Sequence, residues 1–361
     1  MLSQDDLRER LGQFPRLSYG QYPTPLEPLD NLTDLLKGPQ LWVKRDDQLG
    51  PGMGGNKGRK LEYLMADVLR LGKKKVVTYG GLQSNHARMT AACCAAHGLE
   101  AHLFFFDKRP EEFKGNLMLD RLFGAKLHFL PVGAGGDASM TIETTNRLVR
   151  LVSMAFVSPG AYFIPVGGHN MTGCMGYVRA ALELQEQIKD KGFEDERITV
   201  LTACGTGGTL AGLLAGFKLL AMPMKVLGID VGKLWKAFPA SIARITTELC
   251  QAFGPMGKIQ PAEVPLVEGK YVGQGYAVFD MAAAEAITIL ARSEGVLLDP
   301  VYTGKAFAGL LDMVRKGQFG QEDHIIFLHT GGAPGLWAYA DEFCIGQESI
   351  DTTNTAPGWK P

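Results

Sequence analysis

The chain has 361 residues and a mass of 39.1 kDa, long enough for two subdomains that share one deep cleft. Its hydrophobic content of 46% and charged content of 21% are typical of a folded globular protein and exclude a disordered or fibrous one. The formal net charge of -1 gives no electrostatic attraction to nucleic acid or to an acidic membrane, so neither is expected as a partner.

The N-terminal residues and the cysteines indicate the compartment. The first residues have neither a basic start nor an apolar core, so no secretory signal is expected, and no apolar run approaches membrane-spanning length. The six cysteines form no CxxC pair, which predicts buried free thiols rather than disulfides. The histidines show no metal-binding spacing, so no metal is expected. A cytoplasmic protein is predicted.

Hydrophobic periodicity predicts helices at 5–12 and 29–36 and a strand beginning at Leu41. Strands and helices then alternate. The further predicted strands are 76–79, 101–106, 127–132, 162–166, 198–203, 225–231 and 324–329. The further predicted helices are 57–71, 84–97, 116–123, 139–156, 172–191, 208–220, 242–253, 281–294, 304–316 and one from Pro334. Residues 352–361 have the composition of a frayed tail.

This alternation predicts an α/β fold with mostly parallel sheets. The strand at 101–106 is apolar along most of its length, as in parallel sheets that are covered on both faces. Pairs of glycines follow several predicted strands. Ligands of such folds bind at the carboxyl ends of the strands, where the backbone must come close to them.

Lys57 stands after Gly54, Gly55 and Asn56, in the first turn of a predicted helix. The helix dipole opposes a cation there, and the nearby Lys60 adds like charge, so the pKa of Lys57 should be lowered. A lysine of lowered pKa suits Schiff-base chemistry. The alternative is an ordinary solvated lysine at a helix start.

A second glycine-rich segment follows the strand at 198–203 and opens the next helix. Its backbone amides and the helix N-terminus could hold a phosphate dianion. The segment is not a dinucleotide fingerprint, because Leu210 occupies the position of the third glycine. It is not a P-loop either, because no lysine follows the glycines. The alternative is a tight turn without a ligand. The segment consists of Gly205, Thr206, Gly207, Gly208 and Thr209.

Polar residues at two other loops are candidates for substrate contacts. Ser84, Asn85 and His86 follow a predicted strand, where they could bind a carboxylate or a phenolate, although Ser84 is also a suitable helix N-cap. Tyr276 and Tyr302 each precede a predicted helix and could act as acid or base in a cleft, although most tyrosines are core or rim aromatics.

In order and spacing, these motifs resemble the fold-type-II pyridoxal-phosphate enzymes, and among them the D-cysteine desulfhydrase and 1-aminocyclopropane-1-carboxylate deaminase family. The resemblance runs from about Pro23 to Tyr339. It implies two three-layer α/β/α domains with twisted sheets, a smaller one at 49–167 and a larger cofactor-binding one at 1–48 plus 168–361. It also implies a cofactor in the interdomain cleft and a homodimer. The matching motifs are GGNK with RKLEYL, GGLQSNHAR, GTGGTLAG, DPVYTGKA and FLHTGGAPGL.

The resemblance implies pyridoxal 5'-phosphate as the cofactor. Lys57 matches the lysine that forms the Schiff base and moves protons at the substrate α-carbon. Asn85 matches the asparagine that binds the phenolic oxygen of the cofactor, and Thr303 takes the position that faces its ring nitrogen. The phosphate would lie on Gly205, Thr206, Gly207, Gly208 and Thr209.

The resemblance also implies a small amino-acid substrate. Its carboxylate would bind at Ser84, Asn85 and His86, and Tyr276 and Tyr302 match two active-site tyrosines. The catalytic set is then Lys57, Ser84, Tyr276 and Tyr302.

The deaminases carry Glu where Thr303 stands, and a carboxylate beside the ring nitrogen gives the strong electron sink that cyclopropane opening needs. Thr303 therefore favours β-elimination, from D-cysteine to pyruvate, hydrogen sulfide and ammonia. The alternatives are an L-cysteate sulfo-lyase, in which His169 would assist the sulfonate, then the deaminase itself, and then a racemase or dehydratase on the same scaffold. From a different class, the chain could be a silent binder of cofactor or amino acid.

Overall fold

The computed structural model describes residues 2–130 and 139–346. Its strands are β1 (Leu26–Pro28), β2 (Gln40–Lys44), β3 (Lys75–Gly80), β4 (Glu100–Phe105), β5 (Lys126–Phe129), β6 (Tyr162–Phe163), β7 (Arg197–Cys204), β8 (Lys225–Asp230), β9 (Leu266–Val267) and β10 (Asp323–Leu328). Its α-helices are α1 (Gln4–Gly12), α2 (Asp30–Leu36), α3 (Lys57–Arg70), α4 (Asn85–Ala96), α5 (Gly115–Leu122), α6 (Ile142–Phe156), α7 (Met171–Asp190), α8 (Gly208–Leu220), α9 (Phe238–Phe253), α10 (Met281–Glu294), α11 (Thr303–Arg315) and α12 (Ala340–Gly346).

The strands form two sheets. The larger has six strands in the order β1-β2-β10-β7-β8-β9, and the smaller has four in the order β5-β4-β3-β6. Within these sheets β1 and β2 pair antiparallel, and the remaining neighbours pair parallel. The predicted α/β class with mostly parallel sheets is confirmed. The strands of the smaller sheet fall inside 49–167, although the two domain boundaries stay a prediction.

Local sequence explains where the helices around the site begin. The Ser84 side chain accepts a hydrogen bond from the Ala87 amide and caps α4, and the Asn170 side chain caps α7 in the same way. Helix α8 begins after Gly207, whose φ of +72° lies in the left-handed region. These starts turn the chain sharply at the ends of the parallel strands.

The structure departs from the predicted elements in several places. The strand predicted at 162–166 ends at Phe163, because Pro165 cannot donate a ladder hydrogen bond and a 3-10 turn follows at Val166–Gly168. A 3-10 helix, Ala333–Tyr339, precedes α12 where one α-helix is predicted. Strands β1 and β9 were not predicted, since three and two residues are too few to show periodicity. The end of the strand predicted at 127–132 and the tail 352–361 lie outside the described residues.

The cysteine prediction is confirmed where side chains are described, and the side chain of Cys344 lies outside that part. In residues 2–130 and 139–346, no helix is long and apolar enough to cross a membrane, and no cluster of His, Cys, Asp or Glu could hold a metal. The buried free thiols are Cys93, Cys94, Cys174, Cys204 and Cys250.

A buried ion cluster fixes the start of α3. The Arg59 guanidinium is 1% exposed, and its Nε and Nη1 atoms donate to Asp46 Oδ2 and Glu183 Oε2, both at 2.8 Å. Lys44, at the end of β2, also donates to Glu183. Because buried charges need partners with defined geometry, the cluster ties α3 to β2 and α7. Lys57 lies two residues before Arg59.

Candidate active site

A cavity of about 590 Å³ opens where strands of both sheets end. Gly81 follows β3, Gly205 follows β7 and Thr330 follows β10, and each of them lines this cavity. Its volume is that of a small-molecule site. The predicted site residues that line it are Lys57, Ser84, Asn85, His86, Gly205, Thr206, Tyr276 and Tyr302.

Lys57 is the first residue of α3, and its side chain reaches the cavity. Its Nζ donates to Asn56 Oδ1 at 3.0 Å. Burial, followed by the charge of Lys60, holds the pKa of Lys57 well below its usual range. The pKa direction is the one predicted from sequence. A lysine of lowered pKa is more often neutral at neutral pH and is then nucleophilic.

Asn56 was not predicted as a site residue. Its Nδ2 donates to Thr209 Oγ1 at 2.9 Å, and its backbone N–H donates to the Thr330 carbonyl at 3.0 Å. Asn56 therefore connects Lys57 with the glycine loop before α8 and with the end of β10. The sequence signal for Asn56 was its position between two glycines and Lys57.

The glycine loop turns from β7 directly into α8. Gly205 and Thr206 line the cavity, and Gly207, Gly208 and Thr209 continue into the helix start. The first amides of a helix have no intrahelical acceptor, so they point toward an anion beyond the N-terminus. The Trp235 Nε1–H donates to the Gly205 carbonyl at 2.7 Å and helps to hold the loop in place.

Lys60 adds a cation beside this loop, although the sequence indicated only its repulsion of Lys57. Its side chain is 1% exposed and its Nζ donates to the Gly167 carbonyl at 3.0 Å. A Cβ atom on Gly208 would lie 2.7 Å from that Nζ, so the amine lies against the loop at this glycine. Burial lowers the pKa of Lys60, and a phosphate dianion beside it would favour its charged form. The helix N-terminus together with this amine therefore fits a phosphate dianion.

Replacing Gly207 with alanine tests the role of the turn between β7 and α8. A Cβ atom there would lie 2.4 Å from Ile242 Cγ1, and the left-handed backbone alone costs alanine about 1–2 kcal/mol. We expect a lower urea midpoint and faster loss of bound pyridoxal phosphate. In the control variant Gly12→Ala the new Cβ meets nothing within 4 Å, so both properties should stay unchanged. Unchanged cofactor retention in Gly207→Ala would contradict the assignment of the phosphate to this glycine loop.

Ser84 and Asn85 begin α4 at the cavity wall. Ser84 Oγ accepts the Ala87 amide at 3.2 Å, which leaves its own O–H free for another acceptor. Helix capping and a ligand contact are therefore compatible for this serine. Asn85 Oδ1 accepts from Asn116 Nδ2 at 2.9 Å.

His86 is neutral and its tautomer follows from its partner. Thr78 Oγ1 donates to the Ile164 carbonyl at 2.9 Å, so it must accept the proton of His86 Nε2, which lies 2.9 Å away. Burial, followed by the charge of Lys57, holds the pKa of His86 well below its usual range. The other ring nitrogen, Nδ1, has no hydrogen-bond partner within the described part of the chain.

Tyr276 and Tyr302 are hydrogen-bonded to each other through their hydroxyl groups, and their ring centroids lie 5.9 Å apart. Burial raises the pKa of Tyr276 to about 12 and that of Tyr302 well above its usual value. Both phenols are therefore protonated at neutral pH. One hydroxyl donates to the other, so one proton of the pair remains available to a molecule in the cavity.

His169 does not line the cavity. Its imidazole is 2% exposed and lies behind the glycine loop, with Nε2 3.0 Å from Ser241 Oγ. Ser241 donates to Glu143 Oε1 at 2.6 Å, so His169 donates to Ser241, and burial lowers the pKa of His169 to about 3. This position outside the cavity lining does not support the predicted contact with a sulfonate.

Thr303 does not line the cavity either. Its hydroxyl donates to Asp299 Oδ1 at 2.7 Å and accepts the Asp299 amide at 2.8 Å, so it has no proton left for a ring nitrogen. The threonine at the cavity wall is Thr330. The sequence offered it only as part of the HTGG motif after β10.

Comparison with known proteins adds the family. The family description "Pyridoxal-phosphate dependent enzyme" matches residues 17–331. A D-cysteine desulfhydrase of Salmonella typhimurium is 40% identical over 339 residues, which cover 91% of this chain and 97% of that protein. The D-cysteine desulfhydrase of Salmonella schwarzengrund is 38% identical over 337 residues, with the same coverage of 91% and 97%.

Solved structures show the same architecture. The crystal structure of an ACC deaminase homologue is 33% identical, with a TM-score of 0.80 and coverage of 94% of this chain and 98% of that one. A fungal L-serine ammonia-lyase from Rhizomucor miehei, 18% identical with a TM-score of 0.61 over 92% and 98% of the two chains, shares the fold. The chain belongs to the family of pyridoxal-phosphate-dependent enzymes.

Proposed function

We propose that this enzyme is a D-cysteine desulfhydrase, which converts D-cysteine to pyruvate, hydrogen sulfide and ammonia. The observation that carries the proposal is the cavity itself, which joins a lysine of lowered pKa, a glycine loop at a helix N-terminus and a pair of protonated tyrosines. Two relatives with 40% and 38% identity over nearly their whole length bear the name of this activity.

The residues present fit pyridoxal phosphate. Lys57 would bind it covalently, Asn85 would donate to its phenolic oxygen, and the phosphate would lie on the glycine loop beside Lys60. Thr330, which lines the cavity where Thr303 does not, would be the threonine that faces the cofactor. When bound, the cofactor withdraws electrons from the substrate α-carbon.

The chain's own residues then move protons. The hydroxyl of Ser84 and the first amides of α4 would hold the substrate carboxylate. Lys57 Nζ would remove the α-proton, and the free proton of the Tyr276–Tyr302 pair would go to the departing sulfur. The Cα–H and Cβ–S bonds break, sulfide leaves, and the remaining three-carbon unit takes up water to give pyruvate and ammonia.

The charges in the cavity favour sulfide over sulfite as the leaving group. Lys57 is the one lysine or arginine among the described lining residues, and the proposal assigns it to the cofactor. A sulfonate would add a second anionic group to the substrate without a cation to pair it, and desolvating an unpaired charge is costly. Asp107 at the same wall would repel it further.

Product assays distinguish the desulfhydrase from the sulfo-lyase and the deaminase. We expect sulfide from D-cysteine, no sulfite from L-cysteate and no 2-oxobutyrate from 1-aminocyclopropane-1-carboxylate. The purified, cofactor-loaded protein would be given each compound in turn. Sulfite from L-cysteate, with D-cysteine inert, would replace the proposal with the sulfo-lyase, and 2-oxobutyrate would replace it with the deaminase.

We also propose a cytoplasmic homodimer. Free buried thiols at five described cysteines suit a reducing compartment. Helix α6 exposes Leu148, Leu151 and Phe156 by 48%, 67% and 62%, and an exposed apolar group of this kind is typical of a protein contact. Sedimentation should give twice the chain mass for the wild type and a smaller mass for Leu151→Asp. A wild-type monomer would contradict the dimer.

A further inference from the structure

The start of α5 is bound tightly to the loop that follows β3. Asn116 is 1% exposed, and its backbone N–H donates to Gln83 Oε1 at 2.9 Å. In return, Gln83 Nε2 donates to the Lys114 carbonyl at 3.1 Å, and Asn116 Nδ2 donates to the Gln83 carbonyl at 2.9 Å. The two segments therefore exchange hydrogen bonds in both directions.

Gly115 permits this close approach. Its φ is +57°, and a Cβ atom there would lie 2.4 Å from Gln83 Oε1 and 2.9 Å from the Pro334 carbonyl. Glycine alone fits both the backbone conformation and the space. The Gln83 side chain and the Pro334 carbonyl thus fix the backbone next to Asn116 from two sides.

The same side chain determines which way the amide of Asn85 points. The Gln83 carbonyl is an acceptor, so the atom of Asn116 that faces it must be the NH2 group, and its second hydrogen goes to Asn85 Oδ1 at 2.9 Å. Arg88 Nη2 also donates to Asn85 Oδ1, at 3.3 Å. Two obligate donors on the inner side leave the NH2 group of Asn85 for the cavity.

We infer that Asn116 is a positioning residue, which holds the Asn85 amide with its NH2 group toward the phenolic oxygen of the cofactor. The inference rests on the proposed function, in which Asn85 binds that oxygen. Without Asn116, only the longer Arg88 contact would oppose rotation of the amide. A carbonyl oxygen turned into the cavity would repel the phenolic oxygen instead of binding it.

A double-mutant cycle tests this inference. The proteins are the wild type, Asn85→Ala, Asn116→Asp and the double variant, and the readouts are the dissociation constant for pyridoxal phosphate and the visible absorbance maximum of the loaded protein. The loss of one donor should weaken binding roughly three- to tenfold in Asn116→Asp. The absorbance maximum should move in the same direction as in Asn85→Ala, because both variants remove the same hydrogen bond.

In the Asn85→Ala background, Asn116→Asp should change neither readout further, since it acts only through Asn85. An equal loss of affinity in both backgrounds, or no effect in the single variant, would overturn the inference. Asn116→Ala repeats the test without an added charge. Asn31→Ala removes an exposed asparagine that donates to the Ser293 carbonyl at 2.9 Å and should match the wild type. A wild type that never binds the cofactor would instead refute the proposed function.

Discussion

Replacing Lys57 with alanine is expected to remove the yellow colour of the purified protein and to lower D-cysteine turnover by at least roughly 10²–10⁴-fold. Lys57 is the lysine at the cavity, and its pKa is lowered by burial and by Lys60. In the proposed mechanism, its loss removes both the covalent attachment of the cofactor and the base for the α-proton. Visible spectra and a pyruvate assay would measure the two effects separately.

The matched control is Lys126→Ala. Lys126 is 55% exposed, pairs with Glu100 on β4 and does not line the cavity, so the variant should keep colour and turnover. Added methylamine could restore part of the proton transfer in Lys57→Ala, but it could not restore the covalent attachment. A Lys57→Ala protein with wild-type turnover would refute the role of this lysine.

The second large effect concerns stability. Replacing Asp46 with alanine is expected to lower the free energy of unfolding by about 3–5 kcal/mol, because it removes one of the two carboxylates that pair with the buried Arg59 guanidinium. Asp46 is fully buried, and it accepts from Arg59 at 2.7 and 2.8 Å and from the Tyr177 hydroxyl at 2.6 Å. Urea denaturation followed by circular dichroism would measure the loss.

An exposed ion pair provides the comparison. Asp5 is 93% exposed and pairs with Arg8, so Asp5→Ala should change the free energy of unfolding by less than about 1 kcal/mol. Because the cluster also holds the start of α3, Asp46→Ala should release the cofactor more readily than Asp5→Ala does. Equal stability of the two variants would contradict the role given to the cluster.

Much of the fold follows from local signals. Helices α8 and α10 begin and end at the predicted residues, because glycine, charge and apolar periodicity all change at the same positions. The longer parallel strands were found because each contains a short apolar run, which in several cases is followed by glycines. The short strands β1 and β9 owe their conformation to neighbouring strands, and nothing within a few residues indicates that.

Cavity residues were predictable where they belong to one short, continuous sequence motif. Lys57, Ser84 and Gly205 meet in one cavity because each follows the carboxyl end of a parallel strand or opens a helix there. The direction in which a side chain points was not predictable. Thr303 turns to Asp299, although its place in the sequence suggested the cofactor.

Long-range contacts account for the residues that sequence reasoning missed. Lys60 reaches the glycine loop from another helix, and Asn116 reaches Asn85 across 31 positions of the chain. His169 lies behind the loop because Ser241 on α9 accepts its proton. Each of these contacts depends on the packing of elements that are distant in sequence.

The most direct measurement of the central claim is the product balance with D-cysteine. The wild-type protein, loaded with pyridoxal phosphate, should release sulfide, pyruvate and ammonia in equal amounts, and Lys57→Ala should release none of them above the background. Consumption of D-cysteine without sulfide, or no consumption by a fully loaded protein, would contradict the proposed β-elimination.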